Sequence, residues 1–226
     1  MNPRMTHGPG KESESPSSMD AGPPIRLAVF LSGGGTTLQN LLDRIDEGRL
    51  NAEVVCVVSN NPAAKGLERA RRRRVPAAVV ERRGCSSRQE FSDRLFAIAR
   101  EARADLVCLA GFLQLILIPD DFHLRVLNVH PSLIPAFCGK GFYGHHVHEA
   151  ALAMGVKLSG CTVHFADNQY DHGPIILQRT VPVLDDDTPD TLAARVFAQE
   201  CEAYPEAIGL FASGRLRVEG NRTRVL

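Results

Sequence analysis

The chain of 226 residues has no net charge, because 26 Lys and Arg residues are balanced by 26 Asp and Glu residues. Proteins that hold nucleic acids or membrane surfaces by general electrostatics need a basic excess, so we expect neither kind of partner. No apolar run is long enough to cross a bilayer either. The 44% of hydrophobic residues is typical of a globular protein, and the length suits one α/β domain with a full core.

Cysteine pairs of the C-x-x-C type are also missing, although the chain has six cysteines. Cys56 and Cys108 stand inside apolar, strand-like runs, where free thiols act as small hydrophobic residues. The first 24 residues contain no apolar stretch of the kind that a secretory signal needs. We therefore predict reduced cysteines, no disulfide framework and a cytoplasmic protein.

The first 24 residues are instead rich in Gly, Pro, Ser and charged side chains, with few large apolar ones. Such a segment cannot offset the entropy that is lost when a chain becomes ordered. We predict a disordered polar tail over residues 1–24 and a single domain over residues 25–226.

Apolar runs alternate with helical periodicities along that domain, which predicts an α/β fold. The alternation in the first half predicts a mostly parallel sheet, and the locally paired strands that follow predict a mixed or antiparallel part. A hairpin is expected over residues 215–226. The predicted strands cover residues 25–31, 53–58, 77–80, 106–110, 122–130, 158–165 and 175–178, and the predicted helices begin near residues 37, 63, 87 and 188.

The fifth predicted strand ends in a pair of polar residues, Asn128 and His130, directly before Pro131. Side chains alternate along a strand, so these two point to the same side, and Pro131 cannot continue the ladder. The carboxyl ends of parallel strands are where ligands bind in open α/β sheets. An amide there can stabilise an oxyanion, and an imidazole can carry protons near neutral pH.

A second candidate site follows the first predicted strand, where Gly33, Gly34 and Gly35 precede Thr36 and Thr37 at a helix start. A glycine-rich turn at a helix N-terminus can hold an anion, most often a phosphate. The spacing matches neither the dinucleotide nor the nucleoside-triphosphate motif. The pattern alone leaves two interpretations open, a phosphate site or a plain tight turn.

Three other clusters have ordinary explanations beside functional ones. The arginines of residues 68–74 fit a solvated helix face better than a nucleic-acid patch, given the neutral total charge. His145, His146 and His148 lack a cysteine or carboxylate partner at metal-ligand spacing, so we predict no metal site. Residues 111–118 are apolar and uncharged, and they either belong to the core or form the wall of a pocket for a flat ligand.

Several motifs together resemble those of the folate-dependent formyltransferases. The strongest is a set in which Asn128-x-His130-Pro131-Ser132-Leu133-Ile134-Pro135 is followed by Gly160-x-Thr162-Val163-His164-Phe165 and Asp171-x-Gly173-Pro174-Ile175-Ile176-x-Gln178. The glycine loop, Ser59-Asn60, residues 66–70 and residues 109–112 narrow the resemblance to members that formylate phosphoribosylglycinamide. The resemblance covers residues 25–216 and implies a Rossmann-like open, mostly parallel sheet with helices on both faces.

The resemblance implies a reaction in which 10-formyltetrahydrofolate is the co-substrate and no metal takes part. The acceptor amine attacks the formyl carbon, and Asn128 with a protonated His130 stabilises the oxyanion. Asp171 is expected to favour the imidazolium and to hold the ring. A carboxylate on such a turn is exposed by default, so this role requires the fold to bring Asp171 back to His130.

The resemblance also implies binding roles, residue by residue. Gly33, Gly34, Gly35, Thr36 and Thr37 correspond to the loop that holds the substrate phosphate, and Glu200 to a glutamate at the glycinamide or ribose end. The residues on the folate side are Arg88, Leu113, Gln114, Leu115, Ile116 and Asp167. Thr37 and Gln114 depart from residues common in the family, and the loop of residues 137–144 is longer than in the shortest members.

Two other functions remain open at this point. A formyltetrahydrofolate deformylase or methionyl-tRNA formyltransferase would share the catalytic residues, but the latter is expected to have a basic region for tRNA. A non-catalytic module that binds a phosphorylated ligand would need only the glycine loop. We expect small-molecule substrates, and a monomer or weak homodimer.

Chelation tests the interpretation of the three histidines. Formyl transfer is expected to be the same in EDTA-treated and untreated protein, because no step of the expected reaction uses a metal. Activity that is lost with EDTA and restored by a divalent cation would contradict this prediction and identify the histidine cluster as a metal site.

Overall fold

The computed structural model describes residues 22–226. The tail predicted over residues 1–24 therefore lies outside the described residues, except for residues 22–24, which are exposed. No helix within the described range combines the length and the apolar character that crossing a bilayer requires.

A single nine-stranded sheet runs through the described part of the chain, with the strand order β3-β2-β1-β4-β5-β6-β7-β9-β8. The strands are β1 (Ile25–Leu31), β2 (Ala52–Ser59), β3 (Ala77–Val79), β4 (Leu106–Leu109), β5 (Val126–His130), β6 (Leu158–Phe165), β7 (Ile175–Pro182), β8 (Leu216–Glu219) and β9 (Arg222–Val225). The helices are α1 (Thr36–Asp46), α2 (Lys65–Arg72), α3 (Arg88–Glu101), α4 (His145–Met154) and α5 (Pro189–Ala212).

The change from parallel to antiparallel pairing occurs in the part of the chain where the sequence predicted it. All neighbouring pairs among β1 to β5 are parallel, whereas β5–β6, β6–β7 and β8–β9 are antiparallel. The chain moves from β1 to β2 and β3 on one side and then returns to β4 and β5 on the other. This reversal leaves a crevice between the carboxyl ends of β1 and β4, which is the usual ligand position in such sheets.

Helices cover both faces of the sheet. Along β1, Leu27, Val29 and Leu31 join the core beneath α1, α2 and α5, while Ala28 and Phe30 join the core beneath α3. A strand that is buried on both sides must be apolar throughout, as β1 is apart from Arg26. The predicted α/β class, with a mostly parallel sheet, helices on both faces and a mixed C-terminal part, is confirmed.

Two predicted strands differ from the observed ones by four residues at one end, whereas the other predicted strands agree to within one residue at each end. The fifth begins at Val126 rather than at residue 122, because residues 120–122 form a short 3-10 turn and Leu124 has a φ of 54°. This left-handed conformation interrupts an extended chain. The seventh strand extends to Pro182 because β6 pairs with it along its whole length. The predicted hairpin over residues 215–226 is confirmed as β8 and β9.

Tyr204 ties α5 to the centre of the sheet. Its side chain is fully buried, and its hydroxyl lies 3.1 Å from the Leu109 carbonyl oxygen and 2.9 Å from that of Leu127. The single hydroxyl proton is thus shared between a carbonyl at the end of β4 and one near the start of the neighbouring strand β5. A buried phenol needs such partners, because an unpaired one would lose its hydration without compensation.

Replacing Tyr204 by Phe is expected to lower the free energy of unfolding by about 1–3 kcal/mol, because two buried carbonyl groups lose a donor. Urea denaturation followed by circular dichroism measures the change. Tyr143→Phe is the matched control, since Tyr143 is 46% exposed and should change stability little. Equal stability of the two variants would contradict this assignment.

Candidate active site

A pocket of about 550 Å³ opens at the crevice between the strand ends. Asn128 and His130 line it from β5, together with residues that follow β1 and β4, the glycine-rich loop before α4, and one face of α5. The expectation that β5 presents both polar side chains to one site therefore agrees with the geometry. Pro131 follows directly after the last residue of the strand.

Asp171 reaches the same pocket from the turn between β6 and β7. Its Oδ2 lies 3.5 Å from Nδ1 of His130, and its Oδ1 lies 3.3 Å from Nδ2 of Asn128. The residue has a φ of 50°, so the turn holds it in the left-handed region. The fold thus brings Asp171 to Asn128 and His130, from which it is separated by more than forty residues along the chain.

His130 is buried, with only 4% of its surface exposed. Its Nε2 lies 2.9 Å from the carbonyl oxygen of Phe137, so Nε2 carries the hydrogen and a neutral ring has its lone pair on Nδ1, facing Asp171. Burial lowers the pKa of His130 below its ordinary value, although the charge of Asp171 and the contact with Phe137 act in the opposite direction. Desolvation therefore opposes the imidazolium that the sequence led us to expect, whereas Asp171 favours it, as expected.

The pKa of Asp171 lies below its usual range. Burial on its own raises this pKa, but the contact with His164, the charge of a protonated His130 and the backbone N–H of Gly139 outweigh burial and lower it. The Gly139 N–H donates to Oδ2 at 2.8 Å. Asp171 is therefore an anion at neutral pH, next to an imidazole whose protonated form it stabilises.

His164 belongs to this cluster, although the sequence assigned it no role. It lies opposite Asn128 in the β5–β6 pairing, is buried, and has Nδ1 2.9 Å from the carbonyl oxygen of Phe165. A neutral ring with its hydrogen on Nδ1 accepts at Nε2, which lies 3.1 Å from Nδ2 of Asn128. The sequence did offer one signal for this role. His164 occupies an inward position of β6, and every other residue on that face of the strand is apolar or small.

The carbonyl groups of Gly33 and Gly34 in the glycine loop point toward α2. The carbonyl of Gly33 accepts from the Gly66 N–H at 3.1 Å, and the carbonyl of Gly34 accepts from Nε of Arg69 at 2.9 Å. Gly35, with a φ of 70°, is so close to α2 that an added Cβ would lie 2.6 Å from the Cα of Gly66. Only glycine fits at this point.

The predicted binding residues differ in how they relate to the pocket. Thr36, Thr37 and Glu200 line it on the side of α1 and α5, and Leu113 lines it beyond β4. Burial raises the pKa of the Glu200 carboxyl to about 7. The remaining predicted residues are not among the lining ones, and these are Gly33, Gly34, Gly35, Arg88, Gln114, Leu115, Ile116 and Asp167.

Three of the predicted folate residues have other surroundings in this structure. The side chain of Ile116 is 3% exposed and packs in the core beneath α3, so only its backbone is free for recognition. Asp167 pairs with Nδ1 of His172 at 2.6 Å. Arg88 is the exposed first residue of α3.

The pocket also has apolar and basic walls that the sequence did not single out. Phe197 and Ala193 come from α5, Tyr170 from the turn before Asp171, and Lys140 and Tyr143 from the glycine-rich loop. Helical spacing marks Phe197 as part of an apolar stripe but does not show that one end of the stripe faces a cavity. Loop residues carry no periodicity that would place them at all.

The three histidines near α4 do not gather into a ligand set. Within residues 22–226, no group of three or more His, Cys, Asp or Glu side chains is close enough to hold a metal ion. His146 pairs with Glu149, with 3.2 Å between Nδ1 and Oε2, whereas His148 is buried and lines the pocket. Burial lowers the pKa of His148, and the charges of His145 and His130 lower it further.

The fold and the pocket define an open α/β protein with a ligand cleft at its topological switch point, lined by an Asn-His-Asp cluster. The model of the formyl transferase family matches residues 25–208. The chain therefore belongs to the formyl transferase family.

Individual proteins that are similar to this chain also support its membership of the family. A phosphoribosylglycinamide formyltransferase from Haemophilus influenzae is 37% identical over 199 residues, which cover 87% of this chain and 91% of that protein. The human trifunctional purine biosynthetic protein adenosine-3 is 39% identical over 198 residues. This chain spans only 19% of the human protein's length, and 14% of that of its Drosophila melanogaster counterpart.

A solved structure shows the same architecture. The crystal structure of glycinamide ribonucleotide transformylase 1 from Symbiobacterium toebii superimposes with a TM-score of 0.86 at 45% sequence identity. The match covers 94% of this chain and all of the other.

Replacing Asp171 by Asn is expected to lower the pKa of His130 further, because the carboxylate is the charge that stabilises the imidazolium. A ¹H–¹³C NMR titration of the imidazole measures the shift. Asp190→Asn is the matched control, because Asp190 lies 3.5 Å from His145 and not in the cluster. A higher pKa of His130 in Asp171→Asn would contradict the geometry described here.

Proposed function

We propose that this protein transfers the formyl group of 10-formyltetrahydrofolate to the amine of 5'-phosphoribosylglycinamide, a step of de novo purine biosynthesis. The observation that carries the proposal is that Asn128, His130 and Asp171 share one pocket with Thr36 and Thr37, which follow the glycine loop. Membership of the formyl transferase family and the names of the relatives support it. The same domain, residues 25–226, would act as a cytoplasmic monomer or weak homodimer without a metal.

The reaction begins when the acceptor amine adds to the formyl carbon, so that a C–N bond forms and the carbonyl oxygen becomes an oxyanion. Asn128 is the donor proposed for that oxygen. Its amide nitrogen has contacts with His164 at 3.1 Å and with Asp171 at 3.3 Å. The longer contact is the weaker hydrogen bond, and it is the one that the amide would exchange for the oxyanion.

Proton transfer is assigned to His130 and an ordered water. The attacking nitrogen must lose a proton, and N10 of the folate must gain one before the C–N10 bond breaks. A neutral His130 with its lone pair on Nδ1 suits acceptance first and donation afterwards. Asp171 would stabilise the imidazolium that exists between the two steps.

The ribonucleotide would lie between the glycine loop and α5. Backbone N–H groups of residues 33–37, at the positive end of α1, suit the phosphate. Glu200 would accept hydrogen bonds from the ribose or glycinamide end. A carboxyl with a pKa of about 7 changes charge at physiological pH, and an incoming hydrogen-bond donor or ammonium group favours its ionised form.

The folate would occupy the other end of the pocket. Leu113 lines the pocket there, and it is 46% exposed, so this apolar surface is available to a flat ring. Backbone groups of residues 113–116 would contact the edge of the pterin. Arg88 and Asp167 lie outside the pocket lining, so their proposed contacts would be with parts of the folate that extend beyond it.

The experiment that tests this function is a steady-state assay with 10-formyltetrahydrofolate, with and without phosphoribosylglycinamide. We expect formyl transfer to depend on the ribonucleotide. Asn128→Ala should lower kcat by about 10²–10³-fold, the usual loss for one oxyanion donor, and Asp171→Asn should lower it by orders of magnitude. Asp185→Asn is the matched control, because Asp185 is a surface residue paired with Lys157.

Other outcomes point to the alternatives. Equal folate consumption without the ribonucleotide would indicate a deformylase. Ribonucleotide binding without any turnover would indicate a binding module. Full activity of Asp171→Asn would remove this carboxylate from the mechanism.

A further inference from the structure

Three consecutive carbonyl groups, those of residues 32–34, accept hydrogen bonds from the same side of the glycine loop. The carbonyl of Ser32 accepts from Nδ2 of Asn61 at 3.3 Å, that of Gly33 from the Gly66 N–H at 3.1 Å, and that of Gly34 from Nε of Arg69 at 2.9 Å. All three donors belong to α2 or to the segment that leads into it.

The direction of the carbonyls fixes the direction of the amides. In a trans peptide the C=O of one residue and the N–H of the next point in opposite directions. The N–H groups of Gly33, Gly34 and Gly35 must therefore point away from α2. Within residues 22–226, none of the backbone hydrogen bonds outside regular helices and strands uses these three N–H groups, so they are available to an anion.

Arg69 is the only side chain of α2 among these donors, and it is itself held in place. Its Nη1 donates to Oε1 of Gln39 at 3.0 Å, and Nε2 of Gln39 donates to Oδ1 of Asp43 at 2.7 Å. The guanidinium thus spans from the loop to the first turns of α1. It fixes the peptide between Gly34 and Gly35 relative to the helix N-terminus.

We propose that Arg69 is a positioning residue, which holds the peptide N–H of Gly35 in the orientation that binds the substrate phosphate. The inference rests on the proposed function, because it takes the phosphate of the ribonucleotide as the anion. Arg69 acts through the loop, and the glycine N–H groups make the contact. Without Arg69, the Gly34–Gly35 peptide can rotate and offer its carbonyl to the phosphate, which would repel it.

The test measures binding separately from catalysis. Ribose 5-phosphate is titrated into the full chain by calorimetry, and KM is measured for each substrate. We expect Arg69→Ala to weaken ribose 5-phosphate binding about tenfold or more, because a lost hydrogen bond leaves the loop free to reorient. KM for phosphoribosylglycinamide should rise by a similar factor, while kcat and KM for 10-formyltetrahydrofolate stay unchanged.

Arg72→Ala is the matched control, because Arg72 lies on the same helix, pairs with Glu68 and has a side chain that is 74% exposed. It should bind ribose 5-phosphate like the wild type. Gln39→Ala removes the acceptor that orients the guanidinium, and we expect a smaller loss that is not additive with Arg69→Ala. The Gln39→Ala variant also tests the proposal if Arg69→Ala does not fold.

Three results would overturn the proposal. The first is unchanged binding in Arg69→Ala, and the second is a loss in Arg72→Ala as large as that in Arg69→Ala, since the general charge of α2 would then account for the effect. The third is a wild-type protein that does not bind ribose 5-phosphate, which would also remove the phosphate site from the proposed function. Binding of ribose 5-phosphate by a wild-type protein without formyl transfer would refute the proposed reaction alone and leave the role of Arg69 supported.

Discussion

The pairing of β4 between β1 and β5 is the constraint on which the site depends. β4 has only four residues, and all of them are buried. It pairs in parallel with β1 on one side and with β5 on the other. Because parallel strands end at the same edge, the glycine loop, the segment after β4 and the Asn128–His130 pair are brought side by side. Tyr204 supports this arrangement from α5, because its hydroxyl contacts both the last carbonyl of β4 and the carbonyl of Leu127 in β5.

Desolvation gives the cluster its chemical character. His130 is surrounded on both ring nitrogens by acceptors, Phe137 and Asp171, which is the hydrogen-bonding pattern of an imidazolium. Burial opposes that charged state and lowers the pKa of the ring. The adjacent carboxylate acts in the opposite direction, so these two effects together set how readily the ring exchanges a proton with a reacting group.

The sequence predicted the elements well where burial alone decides them. The apolar run of β1 was placed at its observed bounds, and Pro131 marked the end of β5 as observed. It placed the start of β5 too early, because no feature of the sequence marks Leu124 as left-handed. Asp171 lies close to His130 because of the turn between β6 and β7. The position of that turn follows from long-range strand pairing, which no local sequence pattern encodes. The lowered pKa of His130 could not be predicted for the same reason, since burial is a property of the assembled fold.

The two edge strands of the sheet determine how readily it can pair with another chain. The outer strands are β3, with three residues, and β8, which carries Arg217 and Glu219 joined at 3.0 Å. Exposed strand edges are templates for pairing with other chains, and short or charged edges resist that pairing. The nine-stranded sheet therefore ends on both sides in a strand that disfavours edge-to-edge pairing, although its interior is apolar.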